Sequence, residues 1–303
     1  MVSEPIRGVV LERDGAVYRV ATGEGERRAV LRGKTKRDTP KVVVGDDVAL
    51  EPEAGGELYG ITAVGERRTL LERRVPEGRG TRPVAANIDE VFVVTSTADP
   101  PPILQLLDRL LVVSEANGIP AAVVVNKIDL ADPGPLTDRF RRAGYTVFRT
   151  CARTGEGIPE FIAALAGHTA VVTGPSGAGK SSLLNAVQPG LSLRVGAVSE
   201  KLRRGKHTTV GAVMIPLERG GFLVDTPGFS EVGLWGIEPR ELASCFPEMR
   251  RFIGECRYDD CRHVSEPKCA IQAAVAAGDV AADRLDSYRV LLTELESEPE
   301  EWE

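Results

Sequence analysis

The chain has 303 residues, room for two or three domains, and no apolar run approaches the ~20 residues that a membrane-spanning helix requires. Its net charge of −6 hides an asymmetry: residues 27–41 carry seven bases and one acid, whereas residues 286–303 carry seven acids and one base. Five cysteines, three of them within residues 256–269, argue against a spread disulfide framework and for metal. The opening MVSEPIRGVVLERDG contains no apolar h-region, so a soluble cytoplasmic protein without membrane contact is expected.

In chain order, residues 1–75 hold short β-type segments (GVVLER, AVYRVAT, RRAVLRG, KVVVGDDVALE, YGITAVGE) separated by glycine and charged turns. This spacing predicts a small antiparallel barrel, and VVVGDDVALE resembles a strand and turn of OB-fold barrels. Tyr18 and Tyr59 are its only aromatic residues, too few for a base-stacking platform. Phosphate contact with structured RNA through the basic 27–41 segment fits better. Residues 76–87, PEGRGTRPVAAN, read as a linker. From 76 to 237, apolar runs (IDEVFVVTS, PAAVVVNK, YTVFRT, HTAVVTG, GGFLVDT) alternate with helical patterns, which predicts a doubly wound, mostly parallel sheet. From about residue 238 strands stop, and a helical domain with an acidic tail surrounds the cysteine cluster.

The stretch AVVVNKIDL ends an apolar run in Asn126, Lys127 and Asp129. A carboxylate at Asp129 can accept from guanine N1–H and its exocyclic amino group; adenine offers no such pair. The Lys127 stem can cover the base. Gly174, Pro175, Ser176, Gly177, Ala178, Gly179, Lys180 and Ser181 fit the pattern G-x-x-x-x-G-K-[ST], and Ser182 continues into the helix. Small residues let backbone N–H groups wrap a β-phosphate at the helix N-terminus. Lys180 would reach the β- and γ-phosphates, and the Ser181 hydroxyl would ligate Mg²⁺. In Asp225-Thr-Pro-Gly228, Asp225 would hold Mg²⁺ and the Gly228 N–H would meet the γ-phosphate. Thr208 or Thr209 would supply a second Mg²⁺ hydroxyl, with Thr209 preferred. In the loop starting at Thr150, Cys151 and Ala152 look like the backbone support for guanine O6. Phe229 stands where a water-orienting Gln is common, so the intrinsic GTPase should be slow. His207 is a candidate for positioning water; the alternative is an RNA-facing residue. Cys256, Cys261, His263 and Cys269 form the ligand set of a closed tetrahedral structural Zn²⁺ site, with iron as the alternative metal.

The order of guanine-reading motif, then phosphate loop, then D-x-x-G resembles the circularly permuted GTPases. With the leading barrel, RPVAANIDEV, GKHTT, DTPGF and C-x₄-C-x-H-x₅-C, nearly the whole chain is similar to the RsgA (YjeQ) family of ribosome small-subunit-dependent GTPases. That resemblance implies an α/β permuted P-loop GTPase domain between an N-terminal OB-like barrel and a C-terminal zinc domain. It implies hydrolysis of GTP to GDP and phosphate, stimulated by the small ribosomal subunit and coupled to release late in its assembly. The expected partners are that subunit, its rRNA and GTP/GDP; the protein itself is expected to be a monomer. Two rival readings are an RNA-binding module with nucleotide as a structural ligand only, and an ATP-dependent P-loop enzyme.

Overall fold

The computed structural model describes residues 5–32, 41–53, 55, 57–74, 81–192, 212–225, 234 and 237–297. The chain divides into two compact units: Met1–Glu90 with Ala163–Val172 and Val187–Phe229, and Val91–Ile162 with Thr173–Ala186 and Ser230–Glu303.

In the first unit, β1 (Ile6–Asp14), β2 (Val17–Thr22), β3 (Gly25–Leu31), β4 (Asp47–Pro52) and β5 (Tyr59–Val64) close a barrel in the order β1-β2-β3-β5-β4. All neighbours are antiparallel except β3 and β5. Alternation sends Tyr18 and Val20 inward to meet Val10, Ala29, Val48, Leu50 and Ile61, while Arg19 between them faces out to pair with Glu12 and Glu26. Bulges between Val10 and Glu12 and between Ala49 and Leu50 supply the bend that closure requires.

The VVVGDD segment ties the barrel to the next hairpin. Gly45 has φ +90°, and a Cβ there would lie 2.0 Å from the Ala86 carbonyl oxygen. The Asp46 carboxylate is fully buried and accepts from the Val43 N–H and, twice, from the Arg67 guanidinium. Residues 81–86, expected from the sequence to be part of a linker, instead form β7 (Thr81–Ala86), antiparallel to β6 (Leu70–Arg74). The reason is local: Leu71, Ala85 and Ala86 are buried, and Ala86 N–H donates to the Val44 carbonyl. Asn87 then donates from Nδ2 to the Gly45 carbonyl and accepts from the Arg68 N–H.

The α/β part contains β8 (Glu90–Ser96), β9 (Ala121–Asn126), β10 (Thr146–Arg149), β11 (Thr169–Thr173), β12 (Val213–Pro216) and β13 (Phe222–Asp225), in the sheet order β10-β9-β8-β11-β13-β12. Pairs β10/β9, β9/β8 and β11/β13 are parallel; β12/β13 is antiparallel. Val91–Val94 and Ala122–Val125 are wholly buried, as strands covered on both faces must be. The connecting helices are α1 (Leu104–Ala116), α2 (Gly134–Arg142), α3 (Ile158–Leu165) and α4 (Lys180–Val187).

Beyond residue 237 the described residues contain only helices: 3-10 turns at Pro239–Cys245 and Pro247–Phe252, then α5 (Ala270–Ala277) and α6 (Ala282–Ser297). Their core (Leu242, Phe246, Met249, Ile271, Tyr288, Leu291) also takes in Val112 of α1. A buried charge network joins the same elements. Asp108 of α1 accepts from Arg139 of α2 and from Arg284 of α6, and Arg284 also donates to Glu248. None of the described helices is long and apolar enough to cross a membrane.

Candidate nucleotide and metal sites

The phosphate loop leaves the end of β11 and enters α4. Its glycines are required by close approach: a Cβ at Gly174 (φ +138°) would lie 2.1 Å from the Val94 carbonyl oxygen, and one at Gly179 (φ +89°) would lie 2.4 Å from Asn126 Nδ2. Ala178 is buried beneath the loop, while Ser176, Ser181 and Ser182 are exposed. Lys180 folds back over the loop and donates from Nζ to the carbonyls of Gly174 (2.6 Å) and Pro175 (2.8 Å). Burial lowers its pKa from the ordinary lysine value, so a nearby anion would stabilise the ammonium strongly.

Asn126 is the joint of the site. It is buried at the end of β9 and donates from Nδ2 to the Ala178 carbonyl at 3.0 Å. Its Oδ1 accepts from Ala152 N–H and from the Thr150 hydroxyl, each at 3.3 Å. One side chain thus ties the 126–129 loop to the 174–181 loop and to the loop after β10. Lys127 sits in the left-handed region (φ +57°), and its ammonium donates to the Asp99 carbonyl. The Thr97 hydroxyl donates to the Lys127 carbonyl at 2.5 Å.

Asp129 Oδ1 accepts from Cys151 Sγ at 3.0 Å, and its Oδ2 accepts from Arg153 Nη2 at 2.7 Å. The bonds from Cys151 and Arg153 hold the Asp129 carboxyl below the usual aspartate range, so it is an anionic acceptor at neutral pH. The sequence suggested a backbone role alone for Cys151 and none for Arg153; both side chains bond to the Asp129 carboxylate. Their places in the T-C-A-R-T-G loop carried no signal of that pairing.

Asp225 ends β13 in the other compact unit. His207, Thr208, Thr209, Gly228 and Phe229 lie outside the described residues.

In the helical part, the ligand atoms of Cys256, Cys261, His263 and Cys269 lie within 4.8 Å of one another. Cys256 Sγ is 3.6 Å from His263 Nδ1 and 3.9 Å from Cys269 Sγ, and His263 Nδ1 is 3.4 Å from Cys269 Sγ. A tetrahedron with Zn–S near 2.3 Å and Zn–N near 2.0–2.1 Å has edges of about 3.5–3.8 Å, so the four residues fit such an ion. Burial lowers the pKa of His263 and favours the neutral, ligating imidazole. Cys245 lies in the core, and burial pushes its thiol up to about 11. It packs in the core of the helical part.

A family model described as RsgA GTPase matches residues 64–235. The small ribosomal subunit biogenesis GTPase RsgA of Gemmatimonas aurantiaca is 47% identical over 297 residues, covering 95% of this chain and 97% of that protein. The crystal structure of YjeQ from Thermotoga maritima superposes with a TM-score of 0.78 at 33% identity, covering 97% of this chain and 99% of that one. The structure of YloQ, a circularly permuted GTPase, gives 0.78 at 27% identity, with 99% and 98% covered. With its permuted loop order, its five-stranded barrel and its three cysteines and histidine, the chain belongs to the RsgA GTPase family of GTP-hydrolysing enzymes.

Proposed function

We propose that this enzyme hydrolyses GTP as an assembly factor of the small ribosomal subunit, with turnover stimulated by the subunit and coupled to release. The observation that carries the nucleotide reading is the Asn126 joint, which gathers the guanine-reading, phosphate and 150–155 loops at one place despite their permuted order. The names of the relatives support the ribosomal part. Division of labour follows three segments: a barrel over 1–75 for RNA, a GTPase over 76–237, and a metal-stabilised helical domain over 238–303. The protein acts as a cytoplasmic monomer.

The chain's own residues act by position and charge. Asp129, kept anionic by Cys151 and Arg153, accepts from the guanine edge. The Lys127 stem can cover the base face, and the backbone N–H groups of Gly174 and Ser176–Ser182 would wrap the phosphates. Lys180 exchanges its two carbonyl acceptors for phosphate oxygens and stabilises the charge that develops at the β–γ bridge. Ser181, Thr209 and Asp225 would hold Mg²⁺, which supplies further neutralisation of the phosphates when bound. His207 orients the attacking water. Cys256, Cys261, His263 and Cys269 would hold Zn²⁺, which when bound would cross-link the 256–269 segment.

The test is multiple-turnover phosphate release with and without purified small subunits. The proposal expects slow release alone and a large rise with subunits, lost in Lys180→Ala. No rise with subunits refutes the ribosomal part; no turnover under either condition refutes the enzyme.

A further inference from the structure

The spacer between the last two candidate metal ligands, Val264-Ser-Glu-Pro-Lys268, contains a carboxylate whose partners are all backbone. Glu266 Oε1 accepts from the Arg262 N–H at 3.0 Å. Its Oε2 accepts from the N–H groups of Val264 (2.9 Å) and Ser265 (3.0 Å). These amides flank His263, which is held at φ +60°, a conformation a histidine seldom adopts unaided. Three charge-assisted bonds converging on one side chain are a means of holding such a turn.

A second clamp comes from α6. The Tyr288 hydroxyl donates to the Arg262 carbonyl at 3.0 Å, and its ring stands 6.0 Å from the His263 ring and 5.6 Å from that of Phe246. Next to it, Arg289 donates to the Val264 carbonyl at 2.9 Å. Across the cluster, the Ala270 N–H at the start of α5 donates to Cys256 Sγ at 3.3 Å. Every main-chain polar group named on either side of His263 is therefore met by a side chain that is not itself a ligand.

We propose that Glu266, with Tyr288, is the positioning device of the metal site: it shapes the 261–266 turn so that Cys261 and His263 are presented together before any metal arrives. This rests on the reading of Cys256, Cys261, His263 and Cys269 as metal ligands. It separates this site from small zinc modules in which the ion itself organises an otherwise unfolded loop. Outer partners of ligands of this kind alter metal affinity by about 10–100-fold.

The experiment titrates the full-length, chelator-stripped protein with Co²⁺ alone, followed by the tetrahedral thiolate–imidazole absorption, and then displaces it with Zn²⁺. Glu266→Gln keeps the size of the side chain but replaces one acceptor oxygen by a donor facing the amides. It should weaken Co²⁺ by about tenfold or more and alter the band shape. Glu255→Gln removes an exposed charge one residue from Cys256 and should stay within about threefold, which separates a shaped turn from a general field effect. Affinity for the Glu266→Gln protein within about threefold of wild type, or an equal fall in Glu255→Gln, overturns the proposal. Should Glu266→Gln fail to fold, Tyr288→Phe decides: it removes one hydroxyl from the same turn and should still weaken Co²⁺ severalfold, and unchanged affinity overturns the idea. If wild type develops no tetrahedral spectrum, the ligand reading fails and the proposal with it; a wild-type spectrum that Glu266→Gln leaves intact sinks the positioning role alone.

Discussion

Replacing Arg284 by Met probes how α6 is held to α1. The Arg284 side chain is 1% exposed and donates to Asp108 Oδ1 at 2.7 Å and to Glu248 at 2.5 and 3.1 Å. Asp108 is 0% and Glu248 4% exposed at the side chain. Met fills much of the space but leaves Glu248 as a buried carboxylate without its guanidinium. Asp108 keeps Arg139, with bonds of 2.9 and 2.7 Å, so the loss falls mainly on one ion. Breaking one partner of a buried pair costs about 3–5 kcal/mol, and the retained Arg139 places this case near the lower end, at about 3 kcal/mol. That is a large part of the ~5–15 kcal/mol that separates folded from unfolded domains. The assay is amide hydrogen exchange of the α6 peptides, which reports local opening rather than a global midpoint that a multi-domain chain lacks. Protection in Ala282–Ser297 should fall by about a hundredfold or more. The control is Arg251→Ala, since the Arg251–Asp279 pair is 63% and 50% exposed and such surface pairs contribute under about 1 kcal/mol. A fall below about tenfold for Arg284→Met, or one no larger than in the control, refutes the reasoning.

Two further outcomes rest on the same geometry. Gly179→Ala drives a Cβ to within 2.4 Å of Asn126 Nδ2 at φ +89°, so it should pry the Asn126 joint open and weaken GTP binding at least about tenfold in fluorescent-analogue titrations; unchanged affinity contradicts the joint's role. Burial pushes the Asp108 carboxyl up, but bonds and charge from Arg139 and Arg284 outweigh it and depress its folded pKa below the ordinary 3.8. A depressed carboxyl contributes stability that is fully present above its unfolded pKa and is lost as pH falls through the folded one. Protection of α6 should therefore be level from about pH 7 to about 5 and decline below about 4; a decline already complete at about pH 5 would contradict this assignment.

Where the sequence carried local chemistry it was readable. Short β-type segments between glycine and charged turns marked the barrel strands, and continuous apolar runs marked β8 and β9. Residues 81–86 of the expected 76–87 linker form a strand instead, because Gly, Pro and Arg in and beside them mask a segment that buries Ala85 and Ala86. Long-range partners were invisible. Asp108 sits in an apolar helical run and meets Arg284 across 176 residues, a pairing that no periodicity encodes. The side-chain bonds of Cys151 and Arg153 to Asp129 were missed for a different reason. Each reaches Asp129 through its side chain, whereas the loop pattern was read for its backbone alone.

The central claim is that Asp129, held by Cys151 and Arg153, reads guanine in a site assembled from permuted loops. Asp129→Asn tests it most directly. The guanine edge offers two donors to a carboxylate, whereas the xanthine edge offers one donor and one carbonyl, which suits an amide that accepts and donates. Phosphate release by the variant should therefore shift from GTP to XTP, with the preference inverted by roughly a hundredfold or more. A variant that keeps the wild-type preference for GTP over XTP would contradict the account.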